Sequence, residues 1–238
     1  MATWVTHLII ADKILSSFPQ LDKLGFRVGN IAPDCNVENE DWTDFTPSRE
    51  VTHWMQGARK KQSDCQAFCE QYILARRNNI QTNEEYSFLL GYYAHLITDA
   101  VFQEMIRNDN RVRAVWERLK ADDRWKASIS GMEESWDTVK MLIPKRNRMA
   151  AIYTFEWEYL QLYPQCGYLT DILSLEEFPD YIDYLPHGAI VRKIKVMGYI
   201  PQGSPEADYI AFTREEYDSF IEDAVNQITV AFRKIESN

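Results

Sequence analysis

The chain has 238 residues and a formal net charge of −10. This acidic balance argues against a nucleic-acid polymer as partner, because proteins that bind such polymers neutralise phosphates over a broad surface. It also argues against non-specific docking on anionic membranes. A local basic pocket for a single phosphate stays compatible with it. Only nine glycines are present and the Asp-Gly hairpin signal is missing, so the composition favours helices over an all-β design.

Targeting and redox signals are weak throughout the sequence. The first residues lack the charged region, apolar run and cleavage site of a signal peptide, and no apolar segment reaches the length of a bilayer span. Four cysteines do not suggest a disulfide framework in a chain of this size. No repeat, low-complexity tract or linker interrupts the sequence. We therefore expect a cytoplasmic protein with a single, mainly helical domain.

Apolar residues recur at helical spacing along most of the chain. A first helix is predicted over 4–18, followed by a loop that contains Gly29–Asp34 and an acidic, aromatic stretch over 36–47. The later helices are predicted from near Ser48, from Ser63 to about Arg77, over 83–107, 109–121, 132–142 and 146–163, and after Thr213. Three of them open with a capping box: Ser63 with Gln66, Thr82 with Glu85, and Thr213 with Glu216. The proline-rich region 164–212 predicts short helices and turns, with a brief strand near 189–196.

The helix over 83–107 is apolar on nearly all sides, yet it carries His95 and Asp99. Their i, i+4 spacing places an imidazole and a carboxylate on one face, one turn apart. An isolated carboxylate there would cost several kcal/mol or lose its charge, so it needs compensation. A bound metal ion is the leading explanation, and ordinary packing is the alternative for this pair taken alone.

Three further residues come from other segments: His7 and His53 in helix-like contexts, and Asp34 after a proline. Imidazole and carboxylate are the ligand set of zinc and other borderline divalent metals. No single helix can enclose an ion, so ligands from separate segments fit the requirement. Together with His95 and Asp99 these make five residues, which we interpret as one metal site. Asp34 and Asp99 are also the candidate catalytic residues, which would orient or deprotonate a water molecule.

Three residues near these ligands allow two interpretations each. Arg49 and Arg59 flank His53 and would either hold a phosphate or face solvent, with solvent preferred. Gly91 lies one turn before His95, where a missing side chain admits either a ligand or another backbone, or simply allows tight helix packing.

The motifs occur in a characteristic order: Trp4-Val-Thr-His7, Gly29-Asn-Ile-Ala-Pro-Asp34, Thr52-His53-Trp54 and Gly91-Tyr-Tyr-Ala-His95-Leu-Ile-Thr-Asp99. In this order they resemble the zinc-dependent phospholipase C family, which is related to the S1/P1-type single-strand nucleases. The resemblance covers about the first 110 residues. It implies an all-α fold, a single-domain multi-helix bundle over residues 1–238.

The resemblance also implies roles for the five ligands. Asp34, His53, His95 and Asp99 would bind one zinc ion, and Asp99 would bridge towards a second that His7 also binds. Secreted members complete this second site with the amino group of an N-terminal tryptophan, whereas Trp4 lies inside the chain. We therefore expect one or two Zn²⁺ ions, with other divalent metals acceptable.

The chain departs from the family pattern at its remaining zinc ligands. The family has a histidine six residues beyond the aspartate of the His-x3-Asp motif, where this chain has Met105, and no histidine lies between His95 and His187. Candidate replacements, each with a surface role as the alternative, are Glu104, Glu133, Glu134, Asp137 and His187. Two hypotheses follow: a zinc-dependent phosphoric-ester hydrolase acting on a phospholipid-like or small phosphoester, and a catalytically reduced relative with a structural or ligand-binding metal.

Overall fold

The computed structural model describes residues 2–55, 63–204 and 207–237, and most of these residues are helical. The α-helices among them are α1 (Trp4–Ser17), α2 (Lys23–Gly29), α3 (Arg49–Thr52), α4 (Cys65–Phe68), α5 (Asn83–Arg107), α6 (Asp109–Ala121), α7 (Trp136–Leu142), α8 (Lys145–Leu162), α9 (Ala189–Met197) and α10 (Arg214–Glu236). The predicted all-α fold is confirmed. In the same ranges, no helix combines the length and apolar character that crossing a bilayer requires.

Shorter elements complete the description. A 3₁₀ turn spans Ala32–Asp34, and π-helical turns span Cys69–Leu74 and Tyr168–Ile172. Strands β1 (Val37–Glu38) and β2 (Phe45–Thr46) form an antiparallel ribbon inside the segment that was predicted to be a loop.

The ribbon is held to α9 by a buried ion pair. The Glu38 carboxylate lies 2.8 Å from Lys193 Nζ and 2.7 Å from Arg192 Nη2. The Glu38 and Lys193 side chains are 4% and 3% exposed, so each charge requires the other. The hydrogen bonds from Arg192 and Lys193 lower the pKa of Glu38 to about 2.

Two sequence predictions fail in the short elements. The strand predicted near 189–196 is wrong, because Ala189–Met197 is a helix that buries Ile190 and Ile194, one turn apart, on its inner face. The loop predicted after the first helix contains a helix, Lys23–Gly29, whose N-cap Asp22 accepts a hydrogen bond from the Gly25 amide.

The capping boxes have mixed outcomes. Thr213 and Glu216 form a reciprocal box, in which each side-chain oxygen accepts from the other residue's amide. Ser63 is not the cap of the next helix, because Asp64 accepts from the Ala67 amide in its place. That helix also changes to π-helical geometry after Phe68.

The chain divides into two compact units. The first comprises Met1–Ala100, Pro164–Tyr199 and Asp223–Asn238, and the second comprises Val101–Tyr163 and Ile200–Glu222. Each has its own apolar core, which in the first includes Phe26, Phe68 and Phe88 and in the second includes Trp116, Phe212 and Phe220. The single-domain assignment stays a prediction.

Within the first unit, α2 and α5 approach each other through two glycines. A Cβ at Gly91 would overlap the Phe26 carbonyl oxygen, and a Cβ at Gly29 would overlap the Phe88 carbonyl oxygen. Gly91 therefore allows the backbone of a neighbouring helix to pack closely against α5. The contact fixes the Asn30 carbonyl against the next turn of α5, where His95 lies.

Candidate metal centre

The five predicted ligands come together in the first unit. They form two clusters of three residues, and within each cluster the ligand atoms all lie within 4.8 Å of one another. One cluster contains His7, His95 and Asp99, and the other contains Asp34, His53 and His95. The segments that supply them are α1, the 3₁₀ turn, the residue after α3, and α5.

His95 is buried and held from behind by the main chain. Its Nδ1 lies 2.7 Å from the Asn30 carbonyl oxygen, which can only accept, so Nδ1 carries the proton and Nε2 has a free lone pair. Burial, followed by the neighbouring His7, lowers the pKa of His95 to about 3. The ring is therefore neutral near pH 7, the form that binds metals.

His53 follows the single turn of α3 and is oriented by its neighbour. The Thr52 hydroxyl donates to the Arg49 carbonyl at 3.3 Å, so it accepts from His53 Nδ1 at 2.9 Å. This assigns the proton to Nδ1 and leaves Nε2 free. Trp54 then adopts a left-handed conformation with φ 53°, which ends the turn directly after the ligand.

A hydrogen-bond chain supports this turn from below. The Tyr92 hydroxyl, on α5, donates to the Thr52 carbonyl at 2.5 Å. It accepts in turn from the Tyr184 hydroxyl at 2.9 Å, and Tyr184 accepts from the Trp54 indole at 3.1 Å. The residues around His53 are thereby tied to the same helix that carries His95.

His7 lies in the first turn of α1, with its ring stacked on that of His95. The ring centroids are 3.9 Å apart and the planes differ by 2°. Both ring nitrogens are buried and without a hydrogen-bond partner among the described residues, and Nε2 lies 3.6 Å from Asp99 Oδ1. A buried imidazole with two unpaired nitrogens is costly unless something else binds it.

Asp99 is the most buried acid of the centre, with 4% of its side chain exposed. Its Oδ1 accepts from the Ala2 amide at 3.0 Å, and its Oδ2 accepts from Arg49 Nη2 at 3.1 Å. The pKa of Asp99 lies well below its usual value even though burial raises it, in part because of the contact with His7. The carboxylate is therefore charged.

Asp34 ends the 3₁₀ turn and is more open, with 14% of its side chain exposed. Its Oδ2 accepts from the Trp4 indole at 3.2 Å, and its Oδ1 lies 3.3 Å from His53 Nε2. Burial raises the pKa of Asp34, but hydrogen bonding and nearby positive charge, that of Arg49 included, lower it by more, so this pKa also lies below its usual value.

The donor set fits a metal ion. The Nε2 atoms of His53 and His95 lie 3.4 Å apart, and the proton assignments give each of them a lone pair and no proton. Two such lone pairs beside charged carboxylates repel one another unless a cation lies between them. Neutral imidazoles and carboxylates are the donors of zinc sites, and the Asn30 carbonyl and Thr52 hydroxyl are typical outer partners of the ligating rings.

The other candidate ligands lie outside both clusters of the described residues. Glu104 and Glu133 are exposed. Glu134 and Asp137 form ion pairs with Lys120 and Lys140, at 3.0 and 2.5 Å. His187 has a side chain that is 99% exposed and pairs with Asp180 at 2.5 Å. Arg59 lies outside the described residues.

Sequence reasoning missed three polar contacts of the centre. The two sequence interpretations of Arg49, a phosphate ligand or a solvent-facing charge, did not include its bond to Asp99. The Trp4 indole and the Ala2 amide also bond the carboxylates, and nothing in their local sequence indicates that.

Comparison with known proteins agrees with the geometry. The family model for zinc dependent phospholipase C matches residues 6–162, a range that includes all five ligands and extends beyond the resemblance seen in the motifs. No curated relative and no solved structure matches the chain significantly. Because the match covers more than half of its length, the chain belongs to the zinc-dependent phospholipase C family.

Proposed function

We propose that this protein is a zinc-dependent phosphoric-ester hydrolase that acts on a phospholipid-like ester or a small phosphodiester. The observation that carries the proposal is the pair of His/Asp clusters around His95, in a chain of the zinc-dependent phospholipase C family. When bound, zinc lowers the pKa of a coordinated water and polarises a phosphoryl oxygen. The roles of the five residues are assigned on this basis.

The number of lone pairs supports one or two ions. A neutral imidazole has one free nitrogen and ligates one ion, whereas a carboxylate has two oxygens. Asp99 Oδ1 faces His7, and Oδ2 lies 3.7 Å from His53 Nε2 and 4.0 Å from His95 Nε2. We therefore propose that Asp34, His53, His95 and Asp99 would hold one ion, and that His7 together with Asp99 would hold a second.

The two carboxylates have different exposures, and this suggests different tasks. Asp34 is open enough to meet a water molecule, and we assign it to orient the attacking water. Asp99 is enclosed, and its bonds to Ala2 and Arg49 hold it still, so it fixes the positions of the imidazoles around it.

A second candidate function is a metal-binding relative without turnover. Met105 stands where the family places a further ligand, and none of the alternative acids joins the clusters of the described residues. A centre with fewer ions stabilises the leaving group less.

Metal analysis and a phosphodiesterase assay test the proposal together. We expect purified protein to bind zinc at micromolar concentration and to hydrolyse a phosphatidylcholine or a soluble phosphodiester. The Asp99→Asn variant should bind zinc about 10–100-fold more weakly and lose turnover. His187→Gln, at an exposed histidine outside the clusters, is the control and should retain both. Absence of zinc binding would refute the proposal, and zinc binding without turnover would establish the second candidate.

A further inference from the structure

Arg49 is a cation at the edge of the metal centre and outside its ligand set. It begins the turn that His53 ends, since the His53 amide donates to the Arg49 carbonyl at 2.9 Å. Its Nη2 lies 3.1 Å from Asp99 Oδ2. The Arg49 side chain is 33% exposed although Asp99 is 4% exposed, so the guanidinium spans from the buried carboxylate to solvent.

Arg49 is bonded differently from an arginine with a purely structural role. Arg27 binds two carboxylates, those of Asp12 and Asp171, and its side chain is only 14% exposed. A guanidinium has five N–H donors, and among the described residues the side chain of Arg49 bonds only Asp99. Several donors of Arg49 are therefore open to a ligand.

Apart from a bound cation, the cluster of Asp34, His53 and His95 itself offers an approaching phosphate anion no hydrogen-bond donor. The Nε2 atoms of His53 and His95 carry no proton, and the side-chain oxygens of Asp34 and Asp99 accept hydrogen bonds. A cation outside the ligand set can attract that anion without displacing a ligand, and a planar guanidinium matches two phosphoryl oxygens at once.

We propose that Arg49 binds the phosphoryl group of the substrate at the rim of the centre, with its bond to Asp99 fixing the guanidinium in place. This inference rests on the proposed function. Its ligand is the phosphoryl group itself, whether it belongs to a lipid headgroup, a small phosphodiester or free phosphate. Arg49 is thus a substrate-binding residue in addition to a partner of Asp99.

Calorimetric titration of inorganic phosphate into protein saturated with zinc tests the inference. We expect Arg49→Gln to bind phosphate at least about tenfold more weakly. Arg49→Lys should show an intermediate loss, since a lysine keeps the charge but lacks the planar set of N–H donors that can bind two oxygens. Arg76→Gln is the matched control, because Arg76 is 35% exposed and also pairs with a single carboxylate, that of Glu85. It should bind phosphate like the wild type, and zinc content should be equal in all variants.

The outcomes separate this inference from the proposed function. Failure of the wild type to bind zinc refutes the proposed function. Wild-type phosphate affinity in zinc-saturated Arg49→Gln overturns the inference alone. A short-chain phosphatidylcholine and a soluble phosphodiester test whether Arg49 contacts the phosphoryl group that both share. We expect KM to rise about tenfold for both in Arg49→Gln, and a rise for the lipid only would also overturn the inference.

Discussion

At the scale of single residues, two of the histidines are oriented by groups outside the candidate ligand set. The Asn30 carbonyl and the Thr52 hydroxyl each accept a hydrogen bond from the Nδ1–H of a ring, so that both Nε2 atoms face the carboxylates. Such outer partners fix the tautomer and the ring angle, and their loss typically weakens metal binding 10–100-fold.

Thr52 offers a direct test of this arrangement. We expect Thr52→Val to weaken zinc binding by about 10–100-fold, because valine has a similar shape but cannot accept the hydrogen bond from His53 Nδ1–H. Thr52→Ser keeps the hydroxyl and should bind zinc within about threefold of the wild type. Competition with a chromophoric chelator measures both affinities, and circular dichroism checks that both variants fold. Equal affinities for valine and serine would show that the hydroxyl does not orient His53.

The candidate ligands can be proposed from sequence, whereas the contacts that surround them cannot. His95 and Asp99 share a helix, so their spacing alone places them on one face. Arg49, Trp4 and Ala2 reach the carboxylates only because separate segments fold together, and a single sequence carries no local pattern for that. The His95 tautomer depends likewise on the carbonyl of Asn30, the residue after α2, which no side-chain motif specifies.

At the scale of elements, the crossing of α2 and α5 determines the position of His95 relative to the Asn30 carbonyl. The two helices touch through backbone atoms at Gly29 and Gly91, so a carbonyl oxygen occupies the volume that a side chain would need. Backbone cannot rotate away as a flexible side chain can, and the same crossing delivers the Asn30 carbonyl to His95.

Gly91→Ala should therefore affect stability and metal binding together. We expect a loss of about 3 kcal/mol in the free energy of unfolding, at the upper end for overpacking, because the added methyl group meets the Phe26 carbonyl. Zinc affinity should also fall as the Asn30 carbonyl moves from His95. Gly131→Ala is the control. Nothing lies within 4 Å of a Cβ added at this position, and a φ of 77° costs an alanine about 1 kcal/mol. Urea denaturation of the two variants measures the difference, and equal losses would contradict the close crossing.

Short elements were the least predictable part of the fold. The segment Ala189–Met197 contains isoleucine and valine, which favour a strand, but Ile190 and Ile194 are buried at helical spacing. Apolar residues four positions apart fit one face of a helix, and they also fit one face of a strand, in which every second residue faces the same side. In so short a segment the apolar pattern does not distinguish the two. The pattern of a long helix such as Asn83–Arg107 averages over many turns, and the predicted bounds of this helix, 83–107, are confirmed.

At the scale of the whole molecule, all five candidate ligands belong to the first compact unit, and they concentrate costly groups there. Three buried imidazoles and two carboxylates form two clusters that share His95, and both nitrogens of His7 are unpaired in the described residues. Burial of such groups opposes folding unless a cation compensates them. Metal binding and folding of this unit should therefore be linked.

Zinc removal should consequently lower the melting temperature. A ligand that binds only the folded state adds about 2.7 kcal/mol at a free concentration 100-fold above its Kd. For a protein of this size that corresponds to roughly 5–10 °C, measured by calorimetry with zinc and after chelation. Asp99→Asn should lose most of this difference, whereas Glu104→Gln, at an exposed acid outside the clusters, should retain it. Because the linkage depends on ligation and not on turnover, it holds for an active hydrolase and for a catalytically reduced relative alike; identical melting curves with and without zinc would refute the metal centre itself.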